Sequence, residues 1–323
     1  MSMSRQGRAD RFDRLLEAIL ADPRTPLSTA NSEEIQLLRV ASDLRNLPSP
    51  AFRARLGADL SRRAMTMTTG TRSLTRQDVQ TLTVYLPVWP AVELIEFVKR
   101  AFSAEELLRT TGSEGGLHAE VKIGDAKLMI GGGEPWHGTP MPTALHLYVA
   151  DADDTYRRAL EAGATSLRPP VDQPYGDREA SVSDLAGNHW YIATHQLGRH
   201  IPSGLRSVTP YLHPRGADRL IEFLRQAFGG EEMQLERKSD GSVTHAKIRV
   251  GNSVLELNEA HAEFGPRPTM FYLYVDDVDV SYQRALSAGA TSREQPTRQP
   301  YGERRAAVRD PFENEWYLAA PAK

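Results

Sequence analysis

At 323 residues, 40% apolar and 25% charged, the chain can form two or three domains that each bury a core, and its composition is neither disordered nor membrane-spanning. The lack of cysteine excludes disulfides, thiolate zinc sites and a cysteine nucleophile, so a metal would have to rest on His and carboxylate ligands. The net charge is −3, with about +3 on residues 1–64 and about −6 on the rest, which leaves no concentrated basic footprint for nucleic acid.

The first residues, Met1 to Arg8, carry charge with no apolar stretch behind them, so no secretion signal and a cytoplasmic location are expected. Residues 1–64 read as three short helices. Phe12, Leu15, Leu16, Ile19 and Leu20 form one stripe, stopped by Pro23 and Pro26. Ser32, Glu33 and Glu34 open a second helix with Ile35, Leu38 and Ala41 inward, and Ser49-Pro50 open a third with Phe52, Leu56 and Leu60. Residues 65–79 are Thr-rich and aperiodic and read as a linker.

Beyond the linker the sequence repeats itself at a spacing of 126, giving units at 80–197 and 205–321. From Tyr148 to Ala193, 26 of 46 positions equal their counterparts. In the first unit Thr81 to Val88 reads as a strand and Ala91 to Phe102 as a helix with Val92, Ile95, Val98 and Phe102 inward. His118 to Ile123 and Ala126 to Ile130 form a hairpin about Gly124-Asp125. A strand at Ala144 to Val149, a helix from about Asp153 to Ala162 and strands at Ala180 to Ser183 and His189 to Ala193 complete it. Gly131-Gly132-Gly133 lacks the helix start and Lys-Ser/Thr of a nucleotide loop and reads as flexible, with Glu134-Pro135-Trp136 at its tip. Gly187 becomes Glu313 in the second copy, so the two turns are expected to differ in shape.

The order β-α-β-β-β, doubled in each unit, with YLPVWPAVELIEFVKRAF, HAEVKIGDAKLMI, YVADADDTYRRALEAGATS and DLAGNHWYIATH and their second-copy versions, resembles the vicinal oxygen chelate superfamily, PhnB-like glyoxalase/bleomycin-resistance branch. The resemblance implies an α+β fold of tandem domains built of paired βαβββ modules. It also implies divalent metal ligands at four positions per copy. These fall on Thr83, Met129, Ala144 and Tyr191, and on Thr209, Glu256, Met270 and Tyr317. One carboxylate does not hold a divalent ion tightly, so no cofactor is expected, a divalent metal being the alternative.

Strand alternation puts Leu82, Val84, Leu86, Ala119, Val121, Ile123, Leu145, Leu147, Trp190 and Ile192 under the helices. The opposite face carries candidate ligand-binding residues Thr83, Tyr85, His118, Met129, His146, Tyr148 and Tyr191, with His189, and in the second copy Tyr211, His213, His245, Tyr272, Tyr274 and Tyr317. His118, His146 and His189 could form a displaced metal site but read better as hydrogen-bonded histidines. Arg178 and Arg304 could grip a ligand anion, although pairing with Asp177 or Asp184 and their counterparts is favoured. Glu256 is the candidate general base, with a pKa raised by burial.

The reading is a metal-independent protein that binds a small, aromatic or amphipathic molecule, with no nucleic-acid or membrane partner. The alternatives are a lyase, isomerase or dioxygenase with its activity in the second copy, and a ligand-sensing adaptor that binds a protein through residues 1–64.

Overall fold

The computed structural model describes residues 80–112, 115–262, 265–300 and 302–321. The helices expected over 1–64 and the linker lie outside them. Each described copy holds two βαβββ modules. The first module is β1 (Leu82–Val88), α1 (Ala91–Phe102), β2 (Glu105–Thr111), β3 (Leu117–Ile123) and β4 (Ala126–Gly132). The second is β5 (Ala144–Tyr148), α2 (Ala152–Glu161), β6 (Thr165–Asp172), β7 (Asp177–Ser183) and β8 (His189–His195). The third is β9 (Val208–Leu212), α3 (Ala217–Phe228), β10 (Glu231–Arg237), β11 (Val243–Val250) and β12 (Ser253–Leu257). The fourth is β13 (Met270–Tyr274), α4 (Val278–Ser287), β14 (Thr291–Arg298), β15 (Glu303–Arg309) and β16 (Glu315–Pro321).

Each helix begins and stops for local reasons. Asp151 and Asp277 cap α2 and α4 by accepting the backbone N–H of Asp154 and Val280 at 2.9 and 3.0 Å. Gly229, left-handed at φ 67°, ends α3. The inward stripe of α1 is Ala91, Leu94, Ile95, Phe97, Val98, Ala101 and Phe102, and Val92, expected inward, is 48% exposed. At about 100° per residue the spacings 91, 94–95, 98 and 101–102 close a stripe that leaves Val92 at its edge. The strand that follows each helix shows no apolar alternation in sequence because β2, β6, β10 and β14 are exposed, bulged edge strands.

The modules do not pair as the repeat is written. One sheet runs β14-β15-β16-β13-β1-β4-β3-β2 and the other β10-β11-β12-β9-β5-β8-β7-β6. The first module therefore joins the fourth through antiparallel β1 and β13, and the second joins the third through β5 and β9. Helices pack the other way, α1 on α2 and α3 on α4, within each copy. Strands tie the copies together and helices tie modules within a copy, so the core is continuous and takes in every apolar strand residue assigned to it from the sequence. Reciprocal clasps reinforce the crossing. Asp125, in the hairpin turn of the first copy, accepts from Ser207 N and Oγ at 2.8 and 2.9 Å, and Asn252 in the second accepts from Thr81 N at 2.8 Å.

Trp190 and Trp316 are fully buried, and each donates its indole N–H to an aspartate of the preceding turn, Asp184 or Asp310, at 2.9 and 3.0 Å. Asp310 also accepts from Phe312 N, Asn314 N and Asn314 Nδ2, the same pattern that Asp184 makes. The two turns thus have one shape, contrary to the sequence expectation: Gly187 has φ 83° and Glu313 has φ 70°. Glu313 adopts the left-handed conformation because the aspartate and indole bonds fix the turn. Two outcomes follow for urea denaturation. Asp310→Ala loses about 3 kcal/mol, since four donors lose one buried acceptor, whereas Glu313→Gly gains up to about 1 kcal/mol by relieving the left-handed side chain.

Candidate functional site

Each pair of modules presents one concave face away from the helices, and the two faces differ in kind. That of the first and fourth modules opens into a cavity of about 920 Å³, walled by Tyr85, His118 and Met129 on one side, by Met270, Tyr272, Tyr274 and Tyr317 on the other, and by Trp136. His118 and Tyr85 stack at 5.6 Å with 24° between their planes, and His118 Nδ1 lies 3.4 Å from the phenol oxygen. Burial holds the imidazole below its ordinary pKa despite Glu120, so it is neutral at pH 7. Across the cavity Tyr272 and Tyr317 are parallel within 9°, Arg305 lies 5.1 Å over the Tyr317 ring, and the Tyr272 hydroxyl donates to Glu303 at 2.5 Å.

Five further residues of this cavity were not read from the sequence as part of its wall. Gly131 and Gly132 are the end of β4 and line the wall, instead of starting a flexible loop. A Cβ on Gly131 would lie 1.9 Å from the Tyr85 hydroxyl, so only glycine lets that phenol lie across the strand. Arg293, Arg305 and Arg309 also reach the wall, from β14 and β15. Thr83 is buried opposite Tyr272 in the sheet and is not on the wall.

The face of the second and third modules is filled with its own side chains. His146, Tyr148, Tyr191, Thr209, His213 and Glu256 are all buried there. His146 Nδ1 lies 2.9 Å from Glu256 Oε2 and its Nε2 lies 3.5 Å from Glu179, while His245 Nε2 lies 3.4 Å from Glu256 Oε1. Tyr211 and Tyr148 stack on the His146 ring at 5.9 and 4.3 Å. Tyr191 meets His213 Nε2 at 3.3 Å, and His213 Nδ1 meets Asn258 at 2.5 Å; burial pushes the His213 pKa down to about 4.

Glu256 corrects the sequence expectation in two ways. Burial alone would raise its pKa, but the His146 and His245 imidazoles more than offset it and hold the carboxyl well below the usual range. His146 is shifted upward in turn, burial being outweighed by Glu256, Glu179 and Asp177. The pair is a carboxylate and an imidazolium, not a poised base. Nor does Glu256 belong to a site of the second copy, because His146 and Glu179 come from the first.

The same module crossing separates the three candidate histidines. His118 is on the first sheet, and His146 and His189 are on the second, where His189 accepts from Arg267 at 2.5 Å; burial and Arg267 push its pKa down to about 4. Arg178 and Arg304 face neither cleft. They grip Asp153 and Asp279 in the first turns of α2 and α4, with one bond each at 2.7 Å, instead of the turn aspartates expected.

For a divalent metal the donors do not fit. The family's ligand positions in the open cleft are Thr83, Met129, Met270 and Tyr317, a hydroxyl, two thioethers and a phenol. In the filled cleft they are Ala144, Tyr191, Thr209 and Glu256, whose oxygens already face imidazoles. Among the described residues no three His, Asp or Glu side chains converge as a metal set.

Four βαβββ modules that pair to make two concave faces define a tandem glyoxalase-like protein. A family model described as Glyoxalase/Bleomycin resistance protein/Dioxygenase superfamily matches residues 214–318. The uncharacterized protein Mb0911c of Mycobacterium bovis is 38% identical over 122 residues, which is 34% of this chain and 80% of that protein. Rv0887c of Mycobacterium tuberculosis is also 38% identical, over 72% of its length and 34% of this chain. The fold is similar to glyoxalase I from Zea mays, with TM-score 0.56 and 17% identity over 74% of this chain and 92% of that one. It is likewise similar to a putative dioxygenase from Bacillus subtilis, with TM-score 0.50 and 14% identity over 76% and 86%. The chain belongs to the glyoxalase/bleomycin resistance/dioxygenase superfamily. Among the described residues no helix is long and apolar enough to cross a membrane.

The buried pair carries a pH signature. A carboxyl with a lowered pKa stabilises the fold above its ordinary value near 4.5, and that contribution is lost as pH falls through the lowered one. An imidazole with a raised pKa stabilises below its ordinary value near 6.5 and loses this as pH rises through the raised one. Both contributions are present between about pH 4.5 and 6.5. His146→Gln should therefore cost about 3–5 kcal/mol in that window, and the gap to the parent protein, read from urea midpoints, should narrow toward alkaline pH.

Proposed function

We propose that the protein is a PhnB-like member of the superfamily that binds a planar, amphipathic small molecule in the open cleft without a metal, the filled cleft serving as its structural partner. The observation that carries the reading is the cavity of about 920 Å³ between the first and fourth modules. Its size suits a drug-sized ligand, and its wall sets large aromatic faces beside a few fixed polar groups. Tyr85, Tyr272 and Tyr317 offer stacking surfaces, and the neutral His118 offers a hydrogen-bonding edge. Thr83, Tyr148, Arg178, Tyr191, Tyr211, His213, His245 and Arg304 take no part in ligand contact in this reading. An enzyme centred on Glu256 is disfavoured because that carboxylate is 1% exposed and committed to its imidazoles.

A thermal-shift screen of the purified chain against planar aromatic compounds tests it. A ligand at a hundred times its Kd adds about 2.7 kcal/mol to stability, a shift of a few degrees. Met270→Trp, which puts an indole into the cavity, should abolish that shift while the unliganded protein stays folded. A broad library without a stabilising compound would overturn the binder reading. Elemental analysis should find metal well below one equivalent, and a stoichiometric ion would overturn the metal-free part.

A further inference from the structure

The two clefts descend from one sequence, so matched positions show what each has kept. Asp177 and Glu303 open the matched strands β7 and β15 and stand at equivalent places in the repeat. In the filled cleft Asp177 faces His195 across the β7–β8 ladder, and His195 Nδ1 lies 2.5 Å from Asp177 Oδ1. In the open cleft Glu303 faces Pro321 across the β15–β16 ladder, and proline offers no donor. The carboxylate has been kept and its imidazole partner has not.

The other charges on the cavity wall are matched within the protein. Glu120 pairs with Lys127 at 2.7 Å, and Arg305 with Glu294 at 2.8 Å. Arg309 pairs with Glu313 at 3.0 Å and Glu315 at 2.7 Å, and Arg293 lies 3.5 Å from Glu315. Among the described residues no basic group comes within ion-pair distance of Glu303, whose partner is the neutral Tyr272 hydroxyl. Arg305 stands two residues along the same face, but its guanidinium is turned to Glu294 and the Tyr317 ring. Once the internal pairs cancel, one negative charge remains on the wall, held by the hydroxyl of Tyr272, whose ring lies 5.4 Å from that of Tyr274. A half-buried carboxylate on a cavity wall that also carries tyrosine rings is an environment that attracts an aromatic organic cation.

We propose that the ligand of the open cleft is a planar aromatic molecule bearing a protonated amine or amidine, which takes at Glu303 the place that His195 holds at Asp177. This rests on the binder reading and adds the ligand's charge to it.

The test uses the full chain and three scaffold-matched probes at pH 8: an aminoacridine that is cationic there, neutral acridine and an acridine carboxylate, each titrated by calorimetry. The cation should bind roughly ten- to a hundredfold more tightly than the neutral probe, and the anion more weakly still. Glu303→Gln should abolish the preference and leave the neutral probe's Kd within about twofold. Pro321→Lys, which supplies an internal cation that persists at pH 8, should weaken the cationic probe alone and so keeps the test open if Glu303→Gln folds poorly. A cation bound no better than the neutral probe, or a preference that survives Glu303→Gln, would overturn the proposal and leave the binder reading standing. Binding by none of the three would count against both.

Discussion

Antiparallel pairing of β1 with β13, and of β5 with β9, is the constraint on which the rest of the structure depends. Each βαβββ module has a parallel closure between its first and last strands but leaves the outer edge of its first strand open. That edge is a row of unpaired N–H and C=O groups that must find a partner. Here it finds one in the other copy. Cross-copy joints decide which side chains share a cleft, and so they put His146 beside Glu256 and Tyr272 opposite Thr83. Helix packing within each copy prevents the two sheets from becoming separate domains.

Given that arrangement, duplication leaves the two clefts free to diverge, because no residue of one has to serve in the other. One has gathered titratable groups that pair with one another or with neighbouring polar groups: His146 with Glu256, His213 with Tyr191 and Asn258, and Asp177 with His195. Groups so matched fix a unique packing and leave little for a ligand. The other has kept methionines, tyrosines and small residues, whose shapes leave space between the walls. The pattern is division of labour, with one face specialised for holding the molecule together and the other for holding something else.

The elements were legible in the sequence where burial imposes a period, and so were the faces of β1, β3, β5 and β8, because alternation in a half-buried strand records which side meets the core. The edge strands β2, β6, β10 and β14 left no such record because both of their faces meet solvent. The partner of each module was illegible for a different reason. The repeated modules present nearly the same edges, so local sequence does not distinguish joining within a copy from joining across copies, and the length and geometry of the connections decide. That single unknown accounts for the misplacement of Glu256 in a site of the second copy and for the grouping of His118 with His146 and His189. The Arg178 and Arg304 partners were missed for a local reason, since the aspartates on α2 and α4 come near only once the helix packs over β7 and β15. Gly131 could have been found from the sequence by asking what tyrosine lies opposite it, but that needed the β1–β4 register.

The clasps between Asp125 and Ser207 and between Thr81 and Asn252 also bear on how such a molecule comes into being on the ribosome. The middle two modules are neighbours in the chain, and their joint closes over about 65 residues. The outer two are joined across about 190 residues, so β1 is made first and stays without its partner until nearly everything else has emerged. At ordinary rates of synthesis that is roughly ten to forty seconds in which half of the open cleft stands exposed with a bare strand edge. The filled cleft can assemble during this interval and supply the rigid seat on which the outer modules finally meet. Its dense polar packing is then a scaffold in time as well as in space, completed before the cavity that depends on it.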